Sequence, residues 1–184
     1  MPLKNSKNVN KEDSANTDSV FIVSSDQLLS EKSVELSEFE YGMIIAWNAF
    51  SRWLVRCMSA AGYSELTPTD VLVLHHLNHR LTEKKLADIC FVLNIEDTHI
   101  VSYSLKKLMT AKLVKNKKQG KEAFFYLTEE GCKLCEKYRA IRESCLMGGF
   151  SGKDTENEQF RELASALRGL SGHYDQAARA ASAL

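Results

Sequence analysis

The sequence predicts a mainly α protein with a small β-hairpin wing: a winged helix-turn-helix order between long flanking helices suited to dimerisation. Three observations predict it. Apolar residues recur at helical spacing in one stretch after another. Two short runs, Leu113 to Lys117 and Ala123 to Leu127, flank a turn at Gln119-Gly120 and read as a hairpin. Between Tyr103 and Lys121 stand seven lysines and no acidic residue, on the helix before that hairpin and on the hairpin itself.

The elements follow in order. Residues 1–19 are polar and mixed in charge and are expected to be a disordered tail, because they bury too little apolar surface to offset ordering entropy. Residues 20–36, with Val20-Phe21-Ile22-Val23, read as an amino-terminal arm. Ser37-Glu38-Phe39-Glu40 has capping-box spacing and starts a first long helix within 37–64. Its apolar residues, Phe39, Met43, Trp47, Phe50, Leu54 and Met58, run to Gly62, with Ile44, Ile45, Trp53 and Val55 widening the face. A helix apolar on so many sides is expected to lie between neighbours.

Thr67-Pro68 supplies a hydroxyl cap and a proline at the first helical position of a second helix, which buries Val71, Val73, Leu74 and Leu77. Thr82 is expected to cap a third helix with Leu86, Ala87, Ile89 and Cys90 inward. A fourth, about 95–111, begins near Asn94 to Asp97 and carries Ile100, Val101, Leu105 and Leu108 as its buried stripe. The hairpin spans 113–127, and Thr128-Glu129-Glu130 opens a helix reaching about Leu146. After a break at Gly148 to Gly152, a last helix starts near Asp154. Phe160, Leu163, Leu167, Leu170, Tyr174, Ala177, Ala181 and Leu184 alternate by three and four residues along it, the seam of a coiled-coil-like contact between copies. Gly169 and Gly172 on that helix suit a close approach by another backbone. Residues 65–131 are thus expected to be one unit, with further helices on either side of it within 37–64 and 132–184.

At 184 residues the chain is long enough for one domain with a real core and extra helices. No apolar run approaches the roughly 20 residues that span a bilayer, and the amino terminus has no signal-peptide pattern. A cytoplasmic protein with no membrane partner is expected. Five cysteines in no disulfide rhythm fit a reducing compartment. The chain is formally neutral, so the lysine excess is balanced elsewhere, partly by residues 1–40 with four lysines against eight acids. A positive patch on one helix and the loop after it is an electrostatic footprint for a polyanion. The alternative is a merely solvated lysine face.

His75 and His79 have the i, i+4 spacing of a metal pair, with His76 beside them, but two histidines do not complete a site. Cys132-Lys133-Leu134-Cys135 lies on a helix with no second cysteine pair and reads as packing. Cys57, near Arg52 and Arg56, is a candidate sensing thiol against a simpler core role. No metal and no cofactor is expected. No glycine-rich phosphate loop, nucleophile elbow or spaced carboxylate pair is present, and no enzymatic function is expected.

Leu66-Thr67-Pro68-Thr69-Asp70-Val71-Leu72-Val73-Leu74-His75-His76-Leu77 resembles the LT-x-x-(Q/D)-x-x-V-L-x-x-L segment of MarR-type regulators. Leu86-Ala87, Leu108 with Leu113-Val114, and Leu127-Thr128-Glu129-Glu130-Gly131 match later motifs of that family in order. The resemblance implies a homodimeric transcription regulator that places a recognition helix in each of two adjacent major grooves of double-stranded DNA. It also implies a small-molecule effector as a further partner, in a region bordered by Trp47, Trp53 and His76.

On the fourth helix, Thr98, His99 and Ser102 are then the candidates for base or nearby phosphate contact, and Tyr103, Lys106 and Lys107 for phosphate. Lys115, Lys117, Lys118 and Lys121 are placed on the hairpin to meet the flanking backbone. Four departures mark a divergent branch. Gln119-Gly120-Lys121 replaces the family's Asp-x-Arg, and a lysine lacks the flat fork suited to a narrow minor groove. The turn through Phe91-Val92-Leu93-Asn94 reads as longer than usual. Glu96 and Asp97 favour the helix dipole but repel phosphate. Lys112 replaces a common glycine. Two other readings stay open: a winged-helix module that binds an acidic protein, and a metal- or thiol-gated sensor on the same scaffold.

Overall fold

A computed structural model describes residues 32–184; the expected tail 1–19 and most of the arm 20–36 lie outside the described residues. The chain divides into two compact units, residues 1–50 and 51–184. Of the first, the described part is mainly the opening of helix α1, Val34–Ala60. Ile44, Ile45, Trp47 and Phe50 are exposed there, with the Trp47 and Phe50 rings 6.3 Å apart.

In the second unit α1 continues, burying Leu54, Cys57 and Met58, and Gly62 follows it in the left-handed region at φ 106°. Helix α2, Pro68–Asn78, starts as the local chemistry demands. The Thr67 hydroxyl accepts from the Asp70 N–H, and the Asp70 carboxylate accepts from the Thr67 N–H at 2.8 Å. Residues 84–85 form a short strand, β1, that was not expected. Helix α3 therefore begins at Leu86, not at Thr82, because Lys84 and Lys85 are paired antiparallel with Phe125 and Phe124. Ile89 and Cys90 face the core, Leu86 is half-buried and Ala87 is exposed. α3 runs on to Leu93, so Phe91 to Leu93 are helical, and the turn is the short stretch opened by Asn94 at φ 52°.

Helix α4, Thr98–Thr110, is capped by the Asp97 carboxylate, which accepts from the His99 N–H at 2.8 Å. Its buried stripe is Val101, Ser104, Leu105 and Leu108, an i, i+3, i+4, i+7 pattern. Ile100, expected inside, is 47% exposed: it lies one turn before the buried Ser104, at the margin of the stripe and in the first turn of the helix. Strands β2, Val114–Gln119, and β3, Glu122–Leu127, pair antiparallel around Gly120 at φ 63°, and the sheet order is β1-β3-β2. Helix α5, Glu129–Cys145, follows at once, and after a short 3₁₀ turn α6 runs Asp154–Ala181.

One junction ties these elements together. The Thr128 hydroxyl donates to the Lys112 carbonyl at 2.8 Å and accepts from the Gly131 N–H at 3.0 Å, while the Thr128 N–H donates to the Leu113 carbonyl. Gly131 leaves that carbonyl its space: a Cβ there would run into the Leu113 oxygen. The core is continuous from α1 through α2, α3 and α4 to the root of the hairpin and α5. Along α6, Phe160, Leu163, Leu167 and Ala177 are exposed, Tyr174 is at the edge of exposure and Leu170 is half-buried. Nothing stands within 4 Å of where a side chain would grow from Gly169 or Gly172.

Candidate nucleic-acid interface

Since Val101, Ser104, Leu105 and Leu108 turn inward, the opposite ridge of α4 carries His99, Tyr103, Lys106 and Thr110. All four are exposed, Tyr103 to 72%. Thr98 is exposed on the first turn, and Ser102 is half-buried on one flank. The other flank faces α2. There Lys107 is committed: its ammonium donates to the Asp70 carboxylate at 2.8 Å and to the Glu65 carbonyl at 2.6 Å. The Asp70 side chain is only 3% exposed. Burial pushes its carboxyl up, but the Lys107 ammonium and the Thr67 N–H outweigh that and hold it below the ordinary range.

The hairpin presents Lys115, Lys117, Lys118 and Lys121, all exposed. Lys117 pairs with Glu83 at 2.5 Å, and Lys85 of β1 pairs with Glu122 at 2.6 Å while lying 5.3 Å over the Phe124 ring. These contacts cross between the hairpin and the segment around β1. Lys106, Lys115, Lys118 and Lys121 have no salt-bridge partner among the described residues. Four ammonium groups without a salt bridge there, on one helix and the hairpin after it, make a surface that attracts a polyanion. Glu96 and Asp97, both exposed, stand at the α4 start.

The sensor candidates lie elsewhere. His75 packs edge-on against Tyr138 with ring centroids 4.3 Å apart, and burial lowers its pKa. His76 is lowered too, by burial first and then by Lys84 and His79. Among the described residues no group of three ligands stands close enough to hold a metal ion. Cys57 is buried, its thiol directed at the Tyr138 carbonyl at 3.6 Å, and burial pushes it up. Cys135 is pushed up to about 12 by burial, the opposite of what a reactive thiolate needs. No helix among the described residues is long and apolar enough to cross a membrane.

Sequence reasoning missed three features of the surface: the exposed Ile100, the Asp70–Lys107 pair and the β1 latches to the hairpin. Only the first left a local signal, since Ser104 completes the same helical stripe as well as Ile100 does.

A family model described as a winged helix DNA-binding domain matches residues 66–131. Among solved structures, reduced AbfR bound to DNA is 22% identical, covering 73% of this chain and 93% of its own, with a TM-score of 0.60. AbfR of Staphylococcus epidermidis is 20% identical over 74% of this chain and 93% of its own, TM-score 0.61. A MarR family transcription regulator is 14% identical over 77% and 93%, TM-score 0.63. At these identities the likeness establishes the fold. No curated protein matches the chain.

Proposed function

We infer that this chain, a winged helix DNA-binding protein with the fold of the MarR regulators, is a dimeric DNA-binding transcription regulator. The observation that carries the reading is the α4 ridge and the hairpin beside it, with exposed polar and aromatic side chains flanked by ammonium groups that have no salt-bridge partner among the described residues. α4 enters the major groove. Thr98, His99 and Ser102 meet bases or nearby phosphates, Tyr103 and Lys106 hold phosphates, and Lys115, Lys118 and Lys121 lie along the flanking backbone. Lys117 reaches DNA only by sharing or leaving Glu83, and Lys107 only by leaving Asp70.

Residues 65–131 form the DNA-binding domain, while 37–64 and 132–184 carry the dimer contact through the exposed seam of α6 and the apolar face of α1. The protein acts in the cytoplasm, responds to a small-molecule effector and is not an enzyme. The thiol-gated alternative has less support, because Cys57 is held protonated by burial.

A gel-shift titration against the DNA upstream of its own gene tests the reading. Affinity should fall steeply and linearly on a log–log salt plot, and each of Lys106→Glu and Lys118→Glu, present twice in the dimer, should flatten the slope by about 2. Equal binding to that DNA and to random duplex at physiological salt overturns it.

A further inference from the structure

We propose that Ile100, with Tyr103 beside it, reads the C5-methyl group of thymine in the major groove, which makes this pair a specificity determinant. This rests on the DNA-binding reading above and goes beyond it, because it names the base that α4 selects.

Ile100 belongs neither to the core stripe of α4 nor to its polar ridge. It stands on the flank nearest α2, 47% exposed, one turn from the 72% exposed Tyr103. Both line a cleft of about 380 Å³ with Thr67 at the cap of α2, Thr69 and the Lys107-paired Asp70 of α2, and His99 and Ser104 of α4. The cleft opens at the amino-terminal half of the helix, the part of a recognition helix that meets base edges. An isoleucine there has no donor or acceptor. Three of the four bases present only polar atoms in the major groove, and thymine alone adds an apolar group. Set against a guanine or cytosine edge, Ile100 would strip water from donors and acceptors and return no hydrogen bond. Against thymine it covers a methyl group, and both apolar surfaces leave water together.

Charge decides what covers this apolar patch. Lys106 lies one turn further along α4, and Lys115, Lys118 and Lys121 stand on the hairpin with no salt-bridge partner among the described residues. A flat apolar protein partner would leave that charge uncompensated; a duplex supplies phosphates on both sides of the methyl group. Lys107, the next residue on the Ile100 flank, is held by Asp70. That flank therefore offers the apolar contact without a competing phosphate anchor.

The test starts from a duplex selected by the full-length protein from a random library. Each thymine is then replaced singly by deoxyuridine, which removes the methyl group and leaves the pairing edge unchanged. The wild-type protein should lose roughly three- to ten-fold in affinity at one thymine per half-site and stay unaffected elsewhere. Ile100→Ser, at a surface position where folding is easily checked by its melting temperature, should bind the thymine and uracil duplexes equally. Tyr103→Ser should narrow the difference without abolishing it. Uniform wild-type affinity for every uracil duplex, or full discrimination retained by Ile100→Ser, overturns the proposal alone. Failure to enrich any duplex overturns the regulator reading and this proposal with it. A dimer that dissociates on Ile100→Ser would put a second copy over this face and also overturns it.

Discussion

Lys112 holds a left-handed backbone conformation at φ 60°, just past the end of α4. There the Lys112 N–H reaches the Met109 carbonyl and the Leu113 N–H the Leu108 carbonyl, the bonding that closes a helix and favours glycine at the turning position. A side chain in this region costs about 1 kcal/mol or more. Lys112→Gly should therefore raise stability by about 0.5–1 kcal/mol after the extra freedom of glycine in the unfolded chain is set against it. Gly131 is the opposite case. Its substitution by alanine drives a methyl group into the Leu113 carbonyl, which already accepts from Thr128. Gly131→Ala should cost about 2–4 kcal/mol, because backbone must move and a buried hydrogen bond is strained. Urea denaturation of the two variants checks both signs. These glycine positions are visible in the sequence as spacing, Lys112 before Leu113-Val114 and Gly131 after Leu127-Thr128. The reason for Gly131 is not visible there, because its contact lies back across the hairpin.

α2 shows how an element's ends can be read while its partners cannot. Thr67, Pro68 and Asp70 announce the helix start, since capping bonds join residues three apart. That Asp70 also takes the Lys107 ammonium, 37 residues on, follows only from the packing of α4 against α2. The same limit hid β1: Lys84-Lys85 has no apolar alternation, and it becomes a strand only because β3 offers its edge. It hid Ile100 as well: one turn before Ser104 at the margin of the stripe, it is buried or exposed according to whether a neighbouring element covers the first turn of α4.

The pair predicts a separation of stability from charge. Lys107→Met should cost about 2–3 kcal/mol by leaving a buried carboxylate with one partner fewer. It should leave the salt slope of DNA binding nearly unchanged, whereas Lys106→Met, lost from both copies of the dimer, lowers the slope by about 2 and leaves stability alone. pH acts on the same element. The depressed Asp70 carboxyl gives stability that is full above its unfolded value of about 3.9 and is lost as pH falls through the folded value. His75, also lowered, acts at a higher pH: the unfolded chain takes up the proton first, so stability declines as pH drops below about 6.5. Melting temperatures should therefore fall in two stages on acidification. Asp70→Asn should remove the lower stage and His75→Phe should shrink the upper one.

At the scale of the whole molecule, the apolar period of α6 that we propose as a dimer seam is legible in the sequence, and the structure keeps Phe160, Leu163 and Leu167 exposed in the single chain. Leu163→Glu with Leu167→Glu should convert the proposed dimer to monomer in sedimentation. Affinity for a two-half-site duplex should drop on the order of a hundredfold, because the second half-site is no longer held at high effective concentration. Melting of residues 65–131 should hardly change, since neither leucine belongs to that domain's core. The knot of backbone at Leu113, Thr128 and Gly131 has a mechanical corollary. With Thr128 both closing the wing and opening α5, no linker separates them, and the root of the β-finger is tied to the first turn of α5 as a rudder is to its stock. The expected consequence is that the setting of α5 and that of the wing root change together, and Thr128→Ala should speed amide exchange at Gly131, whose N–H loses its acceptor.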